Sequence, residues 1–277
     1  MLNPQLINKI EEFVYEKPRS VQEIASLIKK NWRTADRYLE EIKNDYGTIA
    51  TRVFREGTRG ALKIAYWASI EKASYNMFQK KLETEILNSK RKEDFSAFDI
   101  FQHVPEPKRE CFVFEKEEDN MKDFSSIMLS AKKQLLIFSG NLSFINLQNK
   151  RKDMFNVFEE LAKRKIKIKI LSRVDLSGIN NVEKILSLNL RHGRNIVEIR
   201  HDTHPLRGVI IDNKFIRLKE VKEPTGKIKE LNKRLFIFYN IKDKTWAEWL
   251  SKIFWNKFAK SIDANKRLEH LKHVLNG

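Results

Sequence analysis

The stretch His204-Pro205-Leu206-Arg207-Gly208-Val209-Ile210-Ile211-Asp212-Asn213 sets a short apolar run between a glycine and an Asp-Asn turn signal. A run of this kind reads as a buried strand, here about Arg207 to Ile211, and a second strand pattern from Phe215 to Leu218 makes it half of a hairpin. A further strand is expected at about Arg234 to Tyr239. Upstream, helical and strand periods alternate. A helix from Met121 to Lys132 leads to the strand Leu135-Leu136-Ile137-Phe138-Ser139 and the turn Gly140-Asn141; a helix at about 150–164 leads to a strand over 166–171; a helix at about 180–190 leads to a strand over 197–200. This alternation predicts an α/β domain with a mainly parallel sheet and helices on its faces, to which the late hairpin adds antiparallel neighbours. The last long helix, about 243–262, carries Trp246, Trp249, Phe254, Trp255 and Phe258. Their helical spacing predicts core packing rather than a base-stacking surface.

The first 67 residues have a different rhythm. A helix is expected from Pro4 to Tyr15, and a second is opened by Ser20 with Glu23 three positions on, a capping-box pattern. After a break at Asn31-Trp32, a third helix runs from about Thr34 to Asn44, with Ala35, Tyr38, Leu39 and Ile42 inward. Two strand patterns follow, Thr48 to Phe54 and Ala61 to Trp67, around a Gly-containing tip at 55–60. Three helices and a hairpin is the order of a winged helix-turn-helix, whose third helix lies in the major groove. Arg33, Thr34 and Arg37 stand outward near the start of that helix, and these types suit phosphates and base edges. Arg52, Arg55, Thr58 and Arg59 on the hairpin suit flanking phosphates or the minor groove.

Residues 68–118 link the two regions. A continuous helix is expected over 69–90, with Ile70, Ala73, Met77, Leu82, Ile86 and Leu87 on one stripe; a helix after a wing serves to pair two copies in a homodimer. A connector with a Phe112-Val113-Phe114 anchor follows, beside which Cys111 is expected as a small buried apolar residue. The domains so drawn are 1–67, the helical linker 68–118, the α/β domain 119–262 and a basic helical tail 263–277.

Composition narrows the function. Of 277 residues, 54 are basic and 37 acidic, for a net charge of +17; residues 1–67 contribute +3, 68–116 nothing and 117–277 +14. A polyanionic partner is the expectation, and duplex DNA the first candidate. The weight of charge in the C-terminal half predicts that it too rests on nucleic acid; the alternative is a phosphate-like ligand. A single cysteine allows no internal disulfide and no multi-cysteine zinc site. No apolar run approaches the length of a membrane span, so the expected location is cytoplasmic and nucleoid-associated. The six histidines show no metal spacing of strength, and neither a dinucleotide fingerprint nor a nucleotide-triphosphate loop occurs. No cofactor, metal or catalytic residue is expected.

The order of elements in the C-terminal half resembles a phospholipase D-like half-domain. Such enzymes carry a His-x-Lys-x4-Asp motif in which the histidine attacks phosphorus and the lysine holds phosphate oxygens. Arg207 and Asp212 have the spacing of the motif's lysine and aspartate, but Pro205 takes the histidine's place and His204 stands one residue early. The resemblance therefore implies a catalytically degenerate site, with Arg207, Asp212 and His204 as candidate ligand- or phosphate-binding residues. The whole chain is similar to archaeal transcription regulators of the TrmB type, on the stretches Ser139-Gly140-Asn141-Leu142-Ser143-Phe144, Pro205 to Asp212, and Glu248-Trp249-Leu250 with Ile253-Phe254-Trp255. That similarity implies a dimeric DNA-binding regulator with a small anionic or sugar effector. Competing readings are a phospholipase D-superfamily nuclease or phosphodiesterase that uses His204 as nucleophile, a DNA-binding protein associated with DNA repair or chromatin, and a scaffold that uses the winged helix for protein contacts.

Overall fold

In a computed structural model the structure describes residues 2–55, 61–67, 77–149, 152–224 and 233–276. The chain divides into two compact units, Met1–Ala73 and Ser74–Gly277.

The N-terminal unit contains α1 (Pro4–Glu16), the two-residue strand β1 (Arg19–Ser20), α2 (Val21–Ile28), α3 (Trp32–Asp45), β2 (Ile49–Arg55) and β3 (Ala61–Trp67). Asn3, Ser20 and Asn31 cap the three helices through their side chains. The expected capping box is present: the Glu23 N–H donates to Ser20 Oγ at 3.2 Å, and the Ser20 N–H donates to Glu23 Oε2 at 2.7 Å. One core is formed by Ile7, Ile10 and Val14 of α1, Ile24 and Ile28 of α2, and Ala35, Leu39 and Ile42 of α3. β3 lies between β1 and β2 in an antiparallel sheet. β1 has no signal in the sequence, because two residues are too few to show a period.

The second unit begins, among the described residues, with α4 (Met77–Asn88) and α5 (Ala97–Phe101), followed by β4 (Arg109–Phe114), α6 (Met121–Leu129), β5 (Gln134–Ser139), the short pair β6 (Gln148–Asn149) and β7 (Lys152–Asp153), and α7 (Met154–Lys163). It continues with β8 (Lys167–Ser172), α8 (Ile179–His192), β9 (Val197–His201), β10 (Gly208–Ile211), β11 (Phe215–Lys222), β12 (Leu235–Ile241), α9 (Lys244–Lys260), β13 (Ile262–Asp263) and α10 (Ala264–Asn276). Eight strands form one sheet in the order β13-β9-β8-β5-β10-β11-β12-β4. Only β5/β8 and β8/β9 pair in parallel; the other neighbours are antiparallel. The mainly parallel sheet expected from alternation is thus corrected to a mixed one. A short turn joins β10 to β11, and with no helix between them the two return antiparallel.

Period-two alternation gives the sheet two faces. Leu135 and Ile137, Ile168 and Ile170, and Val209 and Ile211 face the layer containing α7 and α8. The opposite face meets α9, whose Phe254 ring lies 5.2 Å from that of Phe138. Trp246, Trp249, Phe254, Trp255 and Phe258 are all buried, as the spacing predicts.

Three expectations change. The expected tail is part of the domain: β13 pairs with β9, and Ala264 and Leu268 of α10 join the core. The described part of the linker helix buries Leu82 and Ile86 within its own chain, where α4 contacts α9. Cys111 is exposed, because β4 is the outermost strand and its apolar neighbours Phe112 and Val113 are themselves exposed.

Candidate functional site

Two surfaces carry the candidate residues, one in each unit. On α3, burial of Ala35, Leu39 and Ile42 turns Arg33 and Arg37 outward, and both are exposed. Their guanidinium carbons lie 5.5 Å from the Trp32 ring and 5.4 Å from the Tyr38 ring. Thr34 is half-buried, and its N–H donates to Asn31 Oδ1 at 2.8 Å. The acidic residues of the same helix are engaged elsewhere: Lys63 of β3 pairs with Asp36 and, at 2.9 Å, with Glu40, which also pairs with Lys43. Although burial alone would raise it, the Glu40 carboxyl is held below its ordinary range by Lys63 and Lys43. Among the described residues, no carboxylate pairs with Arg33 or Arg37. Arg52 is exposed on β2. The side chain of Arg55, together with Thr58 and Arg59, lies outside the described residues.

In the second unit a cavity of about 650 Å³ opens beyond the carboxyl ends of β5 and β8, beside the start of β10. Ligand crevices in α/β sheets favour this end of parallel strands. Seven cationic side chains and three acidic ones line it: Lys90, Arg91, Lys92, Arg173, Arg207, Arg217 and Lys219 against Glu93, Glu117 and Asp202.

The strand register explains the clustering. Val209 pairs with Arg217 and with Ile137, so these three side chains share a face of the sheet. The Lys219 N–H donates to the Arg207 carbonyl at 2.7 Å, which sets Arg207 beside Lys219 on that same face. Gly208 allows the approach, since a Cβ there would meet the Arg217 carbonyl oxygen at 2.2 Å. Gly140 makes room for the guanidinium of Arg207: a Cβ at 140 would lie 2.8 Å from Nη2.

Arg207 donates through Nη1 to the carbonyls of Leu206 (2.7 Å) and His204 (3.2 Å). No carboxylate forms an ion pair with it among the described residues. Burial, and then the neighbouring Arg173, push its pKa down to about 10, so it remains cationic at neutral pH. A half-buried guanidinium has the fork of donors that suits a carboxylate or phosphate. Arg217 is 1% exposed; its Nη2 donates to Asp123 Oδ2 at 2.5 Å. Lys219 pairs with Glu117 at 2.5 Å.

The residues expected to act with Arg207 separate from it. Asp212 does not line the cavity. It sits beyond the far end of β10, where its carboxylate accepts the backbone N–H groups of Lys132, Lys133 and Gln134 at 2.8–2.9 Å. With three amides fixing it, Asp212 is a clamp between β10 and the start of β5, and its place among the ligand residues is corrected. His204 borders the cavity but is 3% exposed and packs edge-on against Phe138 at 5.2 Å. Its Nε2 donates to the Leu171 carbonyl at 3.1 Å. Burial, then the charge of Arg207, lowers its pKa to about 3 and holds the ring neutral.

Nearby, His201 Nδ1 accepts the Val174 N–H at 2.9 Å, and Asp202 pairs with Lys257 at 3.1 Å. Among the described residues, no three His, Cys, Asp or Glu side chains are arranged to hold a metal. None of the described helices is long and apolar enough to cross a membrane. Arg217 and Lys219 were not singled out from the sequence. Their signal is the alternation Ile216-Arg217-Leu218-Lys219, which reads equally well as a strand with a solvated face.

No protein family's sequence pattern and no curated protein matches the chain. Among solved structures, the phospholipase D family member Nuc from Salmonella typhimurium is similar at a TM-score of 0.42 and 14% identity, over 56% of this chain and 98% of its own. TrmBL2, an archaeal chromatin protein that shows a novel mode of DNA binding, gives 0.40 and 15% over 94% of this chain and 93% of its own. NucT from Helicobacter pylori gives 0.38 and 20% over 56% and 98%.

Proposed function

We propose that the protein is a DNA-binding transcription regulator that acts as a homodimer on duplex DNA at the nucleoid. In this reading the N-terminal unit is a winged helix-turn-helix. Its α3 enters the major groove with Arg33, Thr34 and Arg37, and its hairpin, with Arg52, Arg55, Thr58 and Arg59, lies on flanking DNA. The second unit is a phospholipase D-like effector domain whose cavity binds a small anion at Arg207. The observation that carries the proposal is electrostatic: Lys63 and Lys43 engage the acidic residues of α3, while Arg33 and Arg37 face solvent without a carboxylate partner.

A gel-shift titration tests it. The Arg33→Ala/Arg37→Ala double variant is expected to bind duplex DNA on the order of 100-fold more weakly, each lost charged contact contributing about tenfold. Where both arginines neutralise phosphates, the slope of log affinity against log salt becomes shallower by about 2. Unchanged affinity would remove α3 from the interface. A phosphodiesterase would need His204 as nucleophile, and that ring is buried and donates its Nε2 proton to the Leu171 carbonyl. Any nucleic-acid cleavage that His204→Ala abolished would favour the enzyme over the regulator.

A further inference from the structure

We propose that β4 is the interface between two copies of this chain: its outer edge pairs antiparallel with β4 of the second copy, about a two-fold axis at Phe112. This deepens the homodimer of the reading above and rests on it.

The strand is an unguarded edge. The Lys242 N–H donates to the Lys108 carbonyl at 2.8 Å, so the main chain of Lys108 turns towards β12. That direction alternates along a strand, and Arg109, Cys111 and Val113 therefore turn their N–H and C=O groups away from β12. Among the described residues no strand pairs with that side. Exposed edges are usually blunted by lysine, proline or a bulge. Here the edge reads Cys111-Phe112-Val113-Phe114, with neither charge nor proline, and its register with β12 runs unbroken from Arg109 to Phe114. Phe112 is 39% exposed and Val113 54%. The apolar surface continues onto α5, where Phe98, 47% exposed, lies 6.3 Å from Tyr239, the residue opposite Cys111.

The order of residues in the strand points to a second copy as the occupant. An antiparallel strand laid against itself is two-fold symmetric. With the axis at Phe112, Cys111 stands opposite the partner's Val113 and Val113 opposite the partner's Cys111. Both are hydrogen-bonded pairs, and they use the N–H and C=O groups that β12 leaves free. Between them Phe112 meets the partner's Phe112 in a pair of the closer kind, where side chains approach most. Glu110 falls opposite the partner's Phe114, and at each end Arg109 falls opposite the partner's Glu115, so no like charges face each other over 109–115. Within the chain Arg109 and Glu115 pair with the exposed Glu106 and Lys233, surface contacts that exchange at little cost.

Closure favours two copies over many. The other edge of the sheet is β13, only two residues long. Pairing through β4 therefore ends at a dimer and does not run on into a filament. It also supplies a contact that the linker helix does not, since Leu82 and Ile86 of α4 are buried within their own chain.

Sedimentation of the full chain, with a thiol crosslink, tests this. Cys111 is the single cysteine of the sequence. The pairing sets it diagonal to the partner's Cys111, about 7–8 Å away on the same face. A short bismaleimide is expected to couple two copies, in proportion to the dimer seen by sedimentation. Val113→Pro removes an outward N–H and spares the bonds to β12, a place where an edge strand accepts proline. It should weaken self-association by about 30-fold, because each dimer loses two main-chain hydrogen bonds. Val113→Ala keeps the amide and should weaken it far less. Equal losses in the two variants would overturn the pairing of main chains. A dimer that neither couples through Cys111 nor responds to Val113→Pro would overturn the interface and leave the homodimer standing on another surface. A chain that stays monomeric at every concentration would sink the interface and the homodimer together.

Discussion

A histidine buried beside an arginine makes stability depend on pH, and His204 shows the sign. Its pKa falls from the ordinary 6.5 to about 3 on folding. Below pH 6.5 the unfolded chain takes up a proton that the folded chain refuses. The stability present at neutral pH is therefore lost as pH falls, by up to about 1.4 kcal/mol per pH unit. His204→Gln keeps a neutral donor for the Leu171 carbonyl and removes the titration. Chemical denaturation of this variant should show a decline from pH 7 to pH 5 that is shallower by about 2 kcal/mol, His201 supplying part of what remains because burial lowers it as well. Parallel declines in the two proteins would mean that His204 is not held neutral. Arg207 was legible because its spacing to Asp212 stood out in the sequence. The opposite fates of the pair were not legible, since spacing along a chain is silent about which end of a strand faces a cavity. Arg217 was invisible for a related reason: alternation marks a second face without saying whether water or protein covers it.

Helices were read more surely than strand directions. Helix ends carry local chemistry, and the Ser20–Glu23 box is an instance. The Glu23 carboxyl is held low chiefly by the hydrogen bond from the Ser20 backbone N–H, then by the Ser20 hydroxyl. Ser20→Ala removes one half of the box and should destabilise the N-terminal unit by about 1 kcal/mol, read from its urea midpoint. A change within error would mean that water caps α2 equally well. Strand direction depends on how distant segments meet. Alternating helices and strands gave β5, β8 and β9 correctly as a parallel set, because each crossover carries a helix. β13 escaped notice because it holds two residues, and α10 was taken for a tail because its Lys, Arg and His residues hide two small core contacts, Ala264 and Leu268.

For the molecule as a whole, the +17 charge has more than one use. In the N-terminal unit it leaves two arginines of one helix without a carboxylate partner among the described residues; in the second unit it gathers cations around a cavity with an aromatic wall. The excess of the C-terminal half thus need not lie on DNA; on the proposed reading, the salt slope of the intact protein would then reflect the N-terminal unit alone.

The order of the sheet also governs how it opens. β4 enters the chain before every other strand of the eight, yet its partner β12 lies more than 120 residues further on, with Arg109 beside Ile241. β10, β11 and β12 follow one another closely and can zip together early, while β4 must wait for the chain to return. As an outer strand, held on one side only in a single copy, it is also free to peel away while the rest stays folded. Amide hydrogen exchange should therefore find β4 exchanging through local opening, well before β5 and β8. Equal protection across the sheet would make it one cooperative block. The strand of this sheet that comes first in the sequence thus docks only once β12 is made, and it can leave while its neighbours stay.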